Sequence, residues 1–146
     1  MKITILPLLF LAFISCRSDD NDVTVKETNP LIGIWKMDRT VTISGADNLT
    51  PINEYIPDPC KRKSTFEFQQ NGKYNVNDYN SIGQECIHTH QIKNYTYLKT
   101  ENKLIIDNAE SKIMELTSNN LVVYVADDYD SNNDGINDYL KYVFKR

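Results

Sequence analysis

Short segments in which apolar and polar residues alternate, separated by turn-forming residues at close spacing, constrain this chain more than any other feature. Phe66-x-Phe68, then Asn71-Gly72, then Tyr74-x-Val76 is the clearest case. A period of two puts every second side chain on one face of a strand, and Asn-Gly between two such runs is the strongest short hairpin signal. Lys63–Gln69 and Lys73–Tyr79 are therefore predicted to pair through a two-residue turn. The same reading gives strands at Leu31–Ser44 (Gly33, Trp35, Met37 and Val41 on one face), Gln91–Lys99 (Tyr95, Tyr97), Lys103–Asp107 (Leu104, Ile106), Ser111–Thr117 (Met114, Leu116), Leu121–Ala126 (Leu121, Val123, Val125) and Tyr139–Lys145. Gly45–Lys61, with Pro51, Pro57 and Pro59, reads as a loop. The links at Glu101-Asn102, Asn108–Glu110 and Asn119-Asn120 are short. Nine tyrosines alongside many Ile, Val and Thr favour strands, because branched and aromatic side chains suit a pleated surface. The expectation is an all-β, eight-stranded antiparallel up-and-down barrel, whose closure removes exposed edges.

The chain begins differently. Lys2 precedes an apolar stretch from Ile3 to Ile14, long enough for a signal segment and too short to span a bilayer as a helix. Ser15-Cys16 then resembles a lipobox, in which a small residue precedes the cysteine that receives lipid. Residues 1–15 are thus expected to be a cleaved signal peptide and Cys16 the lipidation site, carrying acyl chains such as palmitate. Residues 16–29 include Arg17-Ser18-Asp19-Asp20-Asn21-Asp22, which cannot pack and reads as an acidic tether. That acidic run resembles the surface-export signal of Bacteroidetes-type lipoproteins. A solvated linker on a periplasm-facing lipoprotein fits the run equally. The expected location is the outer membrane, lipid-anchored, on the cell surface or the periplasmic face.

Residues 30–146 form one domain. Leu31-Ile32-Gly33-Ile34-Trp35-Lys36 resembles the Gly-x-Trp start of lipocalin-like domains. The order that follows, with Cys60, Phe66-x-Phe68, Asn71-Gly72-x-Tyr74, Cys86, Tyr95-x-Tyr97 and Tyr142-Val143-Phe144-Lys145, is similar to small lipocalin-like lipoproteins of the cell envelope. The resemblance implies that Gly-x-Trp marks the closed end of the barrel and that the mouth can hold a small apolar ligand. Phe66, Phe68, Tyr74, Tyr95 and Tyr97 are large enough to fill such a cavity, since an eight-stranded interior is only just wide enough for one small ligand.

If Cys16 carries lipid, Cys60 and Cys86 remain as an even pair in an oxidising compartment, for which a disulfide is the default. Cys86-x-His88-x-His90 also places three metal-ligating side chains on one strand face, with no fourth ligand evident, as these are the only two histidines. A formal net charge of −4 without a basic block argues against nucleic acid and against docking on anionic membranes by charge.

The sharpest chemical motif is Asp127–Asp138. Asp130, Asn132, Asp134, Gly135, Ile136 and Asp138 reproduce the early positions of the Asp-x-Asp-x-Asp-Gly calcium loop, with the Ile136 carbonyl a further oxygen donor and Asp128 able to complete the shell. The bidentate Glu of an EF-hand is replaced by Lys141, and the flanks read as strands. Calcium is expected with a structural role. The competing reading is a solvated hairpin tip, because Asp, Asn and Gly are also turn residues.

There is no Gly-x-Ser-x-Gly, no phosphate-binding glycine loop and no convincing carboxylate pair, so an enzyme is not expected. The leading reading is a monomeric, lipid-anchored binding protein for a small apolar ligand or an envelope partner. The alternative is a structural or interaction lipoprotein with a side-chain-filled barrel. An apolar hole near or above roughly 300 Å³ would favour the first.

Overall fold

The computed structural model describes residues 29–146; the signal segment, Cys16 and the tether up to residue 28 lie outside the described residues. Strands β1 (Gly33–Ile43), β2 (Pro51–Tyr55), β3 (Thr65–Phe68), β4 (Lys73–Ile82), β5 (Glu85–Leu98), β6 (Lys103–Ile106), β7 (Ala109–Leu116), β8 (Asn120–Ala126) and β9 (Tyr139–Lys145) follow in order. From β3 each strand pairs antiparallel with the next, and β1 closes the ring by pairing with β3 and with β9, from Lys36↔Lys145 to Ile43↔Tyr139. The expected eight-stranded up-and-down barrel is present as β1 and β3 to β9.

β2 is additional. It pairs with the far half of β1, from Thr40↔Tyr55 to Ile43↔Pro51, inside the stretch read as a loop. Its Pro-Ile-Asn-Glu-Tyr sequence has no alternation to detect, and Pro51 at its first position is where a strand tolerates proline. The β3–β4 hairpin forms as expected, but not through a two-residue turn. Gln69 N bonds Lys73 O and Gly72 N bonds Gln69 O, with Gly72 at positive φ (79°) and Asn71 not. The type I′ turn needs both residues at positive φ.

Two bulges correct the predicted faces. On β1 the register slips between Met37 and Arg39, so Val41 lies opposite Lys141 on the outer face while Thr40 and Thr42 face inward. On β7 a slip between Ile113 and Glu115 keeps Ile113 and Leu116 inward and leaves Met114 half exposed. An extra residue in one strand inverts the alternation beyond it, which a strict period of two cannot register.

Because the strands alternate in direction, the turns at residues 69–72, 99–102 and 117–119 gather at one end with the start of β1. That end is plugged. Leu31 and Trp35 are fully buried, Trp35 Nε1 donates to Leu31 O (2.9 Å), and the Arg146 guanidinium lies 3.9 Å from the centre of the Trp35 ring. Arg146 also donates to Pro30 O (2.7 Å) and Ile32 O (2.8 Å), tying the last residue to the segment before β1. The expected closed end at Gly-x-Trp is thus where the barrel is sealed.

β4 and β5 extend past the barrel. They pair from Lys73↔Asn94 to Ile82↔Glu85, whereas β3 reaches only Asn77 and β6 only Tyr95. The remainder is a two-stranded ribbon, longer than the predicted strands. The expected disulfide links Cys86 on this ribbon to Cys60, with Cα atoms 5.4 Å apart, next to the 3₁₀ turn Lys61–Lys63.

Candidate functional site

The inward faces of the strands enclose an apolar chamber of about 190 Å³. Its floor is Trp35; Phe66, Phe68, Phe144, Leu104, Leu121 and Val123 form its walls, with Met37, Tyr74 and Tyr142 among the remaining lining. Alternation delivers each of these: 66/68 on β3, 121/123 on β8 and 142/144 on β9 point the same way. The rings brace one another, with Phe66 and Phe144 edge-to-face (5.3 Å between centres), Phe68 stacked on Tyr74 (4.5 Å) and Tyr95 edge-on to Phe68 (5.0 Å). The interior is therefore not packed solid. Phe66, Phe68 and Tyr74 line the space without filling it. Tyr95 and Tyr97 pack behind it, and the Tyr95 hydroxyl is engaged by Gln69 O (2.8 Å).

Towards the open end the chamber gives onto a wider vestibule of about 320 Å³, which shares Met37 and Tyr142 with it. Thr40, Thr42, Asn53, Tyr55 and Lys61 line that space, so polarity rises from floor to mouth. β2, whose sequence carries no alternation to signal a strand, supplies Asn53 and Tyr55, and the inverted phase after the β1 bulge supplies the threonines. Among the described residues, the Tyr74 and Tyr142 hydroxyls have no hydrogen-bond partner, and neither is sealed from open space. Burial pushes both hydroxyls above the ordinary tyrosine range, with the Asp78 charge adding at Tyr74 and Asp127 at Tyr142. They remain protonated and can donate. At the rim Lys61 pairs with Asp78 (2.6 Å). Burial alone would raise the Asp78 carboxyl, but bonds from Lys61, Asn80 and Ser64 outweigh it and hold the group below its usual range.

The Asp-rich loop lies beside the mouth, between β8 and β9. Asp130 accepts the Asp134 and Gly135 amides (3.2 and 2.8 Å), Asn132 Oδ1 accepts the Asp134 amide (3.1 Å), and Asp134 accepts from the Ile136 amide and the Asn132 side chain (2.9 and 2.8 Å). Asp138 is buried and accepts the Ser131 amide (2.7 Å) and the Gly45 amide (3.3 Å); the Ser131 bond is the main reason its carboxyl sits below the usual range. Asp128 and Ile136 are exposed. Among the described residues, no three His, Cys, Asp or Glu side chains are grouped as a metal would need. The loop also docks on the turn after β1: Ser44 Oγ bonds Asp134 (3.2 Å), and a Cβ on Gly45 would sit 1.9 Å from Asn137 O, so that position accepts only glycine.

Cys86, His88 and His90 share the outer face of β5, as expected. Cys86 is committed to the disulfide, and His88 stacks on Tyr79 (4.5 Å) with its Nε2 near Asn77 Oδ1 (3.3 Å).

No curated protein matches this sequence. Among solved structures, a deswapped triple mutant of bovine odorant-binding protein is similar at 17% identity and a TM-score of 0.42, covering 81% of this chain and 74% of that one. The bovine lipocalin allergen Bos d 2 is similar at 10% identity and a TM-score of 0.44, covering 80% and 73%. The family profile described as lipocalin-like domain matches residues 31–123, most of the barrel and more than half of the sequence. The chain belongs to the lipocalin-like domain family.

Proposed function

We propose that this protein is a lipid-anchored envelope protein that holds one small apolar molecule in the barrel and is not an enzyme. The observation that carries the reading is the apolar chamber of about 190 Å³ beneath a polar vestibule. An apolar cavity of roughly 150 Å³ already takes up benzene, so the chamber suits an aromatic ring or a short alkyl chain. It falls short of the roughly 300 Å³ at which a cavity's size by itself favours a ligand, so the reading is confined to molecules smaller than drug-sized ones. The free Tyr74 and Tyr142 hydroxyls are placed to bind one polar group at the upper end of such a molecule.

Indole and 1-hexanol are suitable probes by calorimetric titration. The wild-type protein is expected to bind at least one of them, and Val123→Phe, which fills the chamber, is expected to weaken binding at least tenfold. Leu49→Phe, on the exposed turn between β1 and β2, should bind as the wild type does. No heat with either probe would overturn the chamber as a binding site.

The anchor rests on the Ser15-Cys16 junction after the apolar stretch. Wild-type protein expressed in a bacterial host is expected to partition into detergent, and Cys16→Ala to appear in the aqueous phase or to remain unprocessed, because acyl chains add about 0.8 kcal/mol of membrane affinity per buried CH₂. Equal partitioning of the two would remove the anchor.

For the Asp127–Asp138 loop we propose weak calcium binding with a structural role. Support comes from the spacing of Asp130, Asn132, Asp134 and Asp138 and from Gly135 at positive φ (89°). Calcium is expected to raise the unfolding midpoint relative to chelator by mass action, and Asp134→Ala to abolish the difference. An unchanged wild-type midpoint would assign these carboxylates to capping the loop's own amides and nothing more.

A further inference from the structure

The ribbon beyond the barrel exposes one edge of β5. Asn94 marks where its partner stops: the Asn94 carbonyl accepts from Asp107 N (2.9 Å), and its amide donates to Asp107 Oδ1 (3.1 Å). Tyr95 N points the other way, to Gly72 O (2.8 Å). In an antiparallel ladder such directions alternate, so Cys86, His88, His90 and Ile92 turn their backbone N–H and C=O groups outward. Among the described residues nothing pairs with them.

Native sheets blunt such edges with charge, proline or a bulge. Here the stretch from Cys86 to Ile92 (Cys-Ile-His-Thr-His-Gln-Ile) holds neither an acidic nor a lysine or arginine residue and no proline, and its pairing with β4 runs without a bulge. Ile82 and Ile87 on the ribbon and Ile92 at the foot of the same β5 edge are exposed (66%, 41% and 61%). The charges sit only at the ends, Glu85 negative and Lys93 positive, and among the described residues neither has an ion-pair partner.

We propose that this edge pairs antiparallel with the same edge of a second copy, about a two-fold axis through Thr89. The sequence is self-complementary in that register. Cys86 falls opposite Ile92 of the second copy and His88 opposite its His90, all of them residues whose backbone groups already point outward. Glu85 then lies opposite Lys93 of the second copy, on the same sheet face, and the symmetry makes the pair twice. Cross-strand opposite charges stabilise a register while like charges oppose it, and a contact in which the same patch serves both partners closes at two copies. The dimer replaces the monomer expected from sequence.

The test uses the full chain in detergent with Thr89→Cys, which brings two thiols together only in this register. Mild oxidation is expected to give a reducible dimer on a gel, absent from the wild-type chain treated alike. Adding His90→Pro removes an outward N–H without touching the β4 ladder and should abolish the dimer band. Lys93→Glu should reduce it at least tenfold by setting Glu against Glu85, and Glu85→Lys with Lys93→Glu together should restore it, which no folding defect would do. A cross-link that survives His90→Pro, or one that the double exchange fails to restore, would overturn the proposal. So would a monomer whose His88 and His90 amides resist hydrogen exchange, because the edge would then be covered without a second copy.

Discussion

Trp35→Ala is expected to lower the thermal midpoint by about 12–20 °C, the largest effect of any single substitution outside the disulfide. The ring is fully buried at the sealed end of the barrel, where the chain enters β1 and leaves β9. Its removal deletes the floor of the chamber and leaves a void that the surrounding strands cannot collapse around, a change that costs about 3–5 kcal/mol in comparable cores. For a domain of this length each kcal/mol moves the midpoint by roughly 4 °C. Two directional contacts go with the ring: the Nε1 bond to Leu31 O and the face on which the Arg146 guanidinium rests. Arg146→Ala should reproduce a smaller part of the loss, because the Trp35 side chain and its hydrogen bond to Leu31 both stay. Calorimetric melting of both variants separates the contributions. A Trp35→Ala protein melting within a few degrees of the wild type would mean that the apparent plug carries little of the fold.

The barrel was readable from sequence because its signal is local. β3 is a short alternating run, β6, β8 and β9 are short runs rich in branched and aromatic residues, and Asn, Asp or Gly stands at or near at least one end of each; the closure follows once every neighbour is joined by a tight turn. What escaped was non-local or aperiodic. β2 has no alternation, and it exists because the bulged far half of β1 offers it an edge between the barrel and the disulfide turn. The two bulges are set by what lies across the ladder, so Val41 and Met114 read as inward and are not. The ribbon was underestimated because Tyr79 to Gln91 is mostly polar on both faces, as befits strands that leave the core. The candidate site was legible in its aromatic walls and illegible in its capacity. Phe66, Phe68 and Tyr74 were evident as inward residues, but whether three large rings fill a barrel or line it depends on their mutual angles, which come from packing. The Asp-rich loop shows a related limit: spacing identified the oxygen donors, while the amides and the Ser44 hydroxyl that they accept from depend on how the loop folds against the turn after β1.

Removing the disulfide has the other large expected effect. The double variant Cys60→Ser/Cys86→Ser, chosen so that no lone thiol remains, should lose about 3.5 kcal/mol, the chain-entropy value for two positions 26 residues apart, or a fall of about 14 °C in the midpoint. The position of the bridge makes the loss uneven. Cys86 lies on the part of β5 that has only β4 beside it, and Cys60 adjoins the turn whose Lys61 bonds Asp78 and whose Ser64 bonds both Asp78 and the Tyr79 amide (2.9 Å). The bridge and these side-chain bonds are what hold the ribbon to the barrel. Without the bridge the ribbon opens by breaking few contacts, and local opening at so low a cost shows in amide exchange before the global transition does. Exchange at Asp78 to Ile92 should therefore accelerate by more than exchange at Leu121 to Val125, which sits between β7 and β9. Uniform acceleration across both segments would mean that the bridge acts only on the unfolded chain. An unchanged midpoint would mean that the hydrogen bonds of Lys61 and Ser64 suffice to hold the ribbon in place.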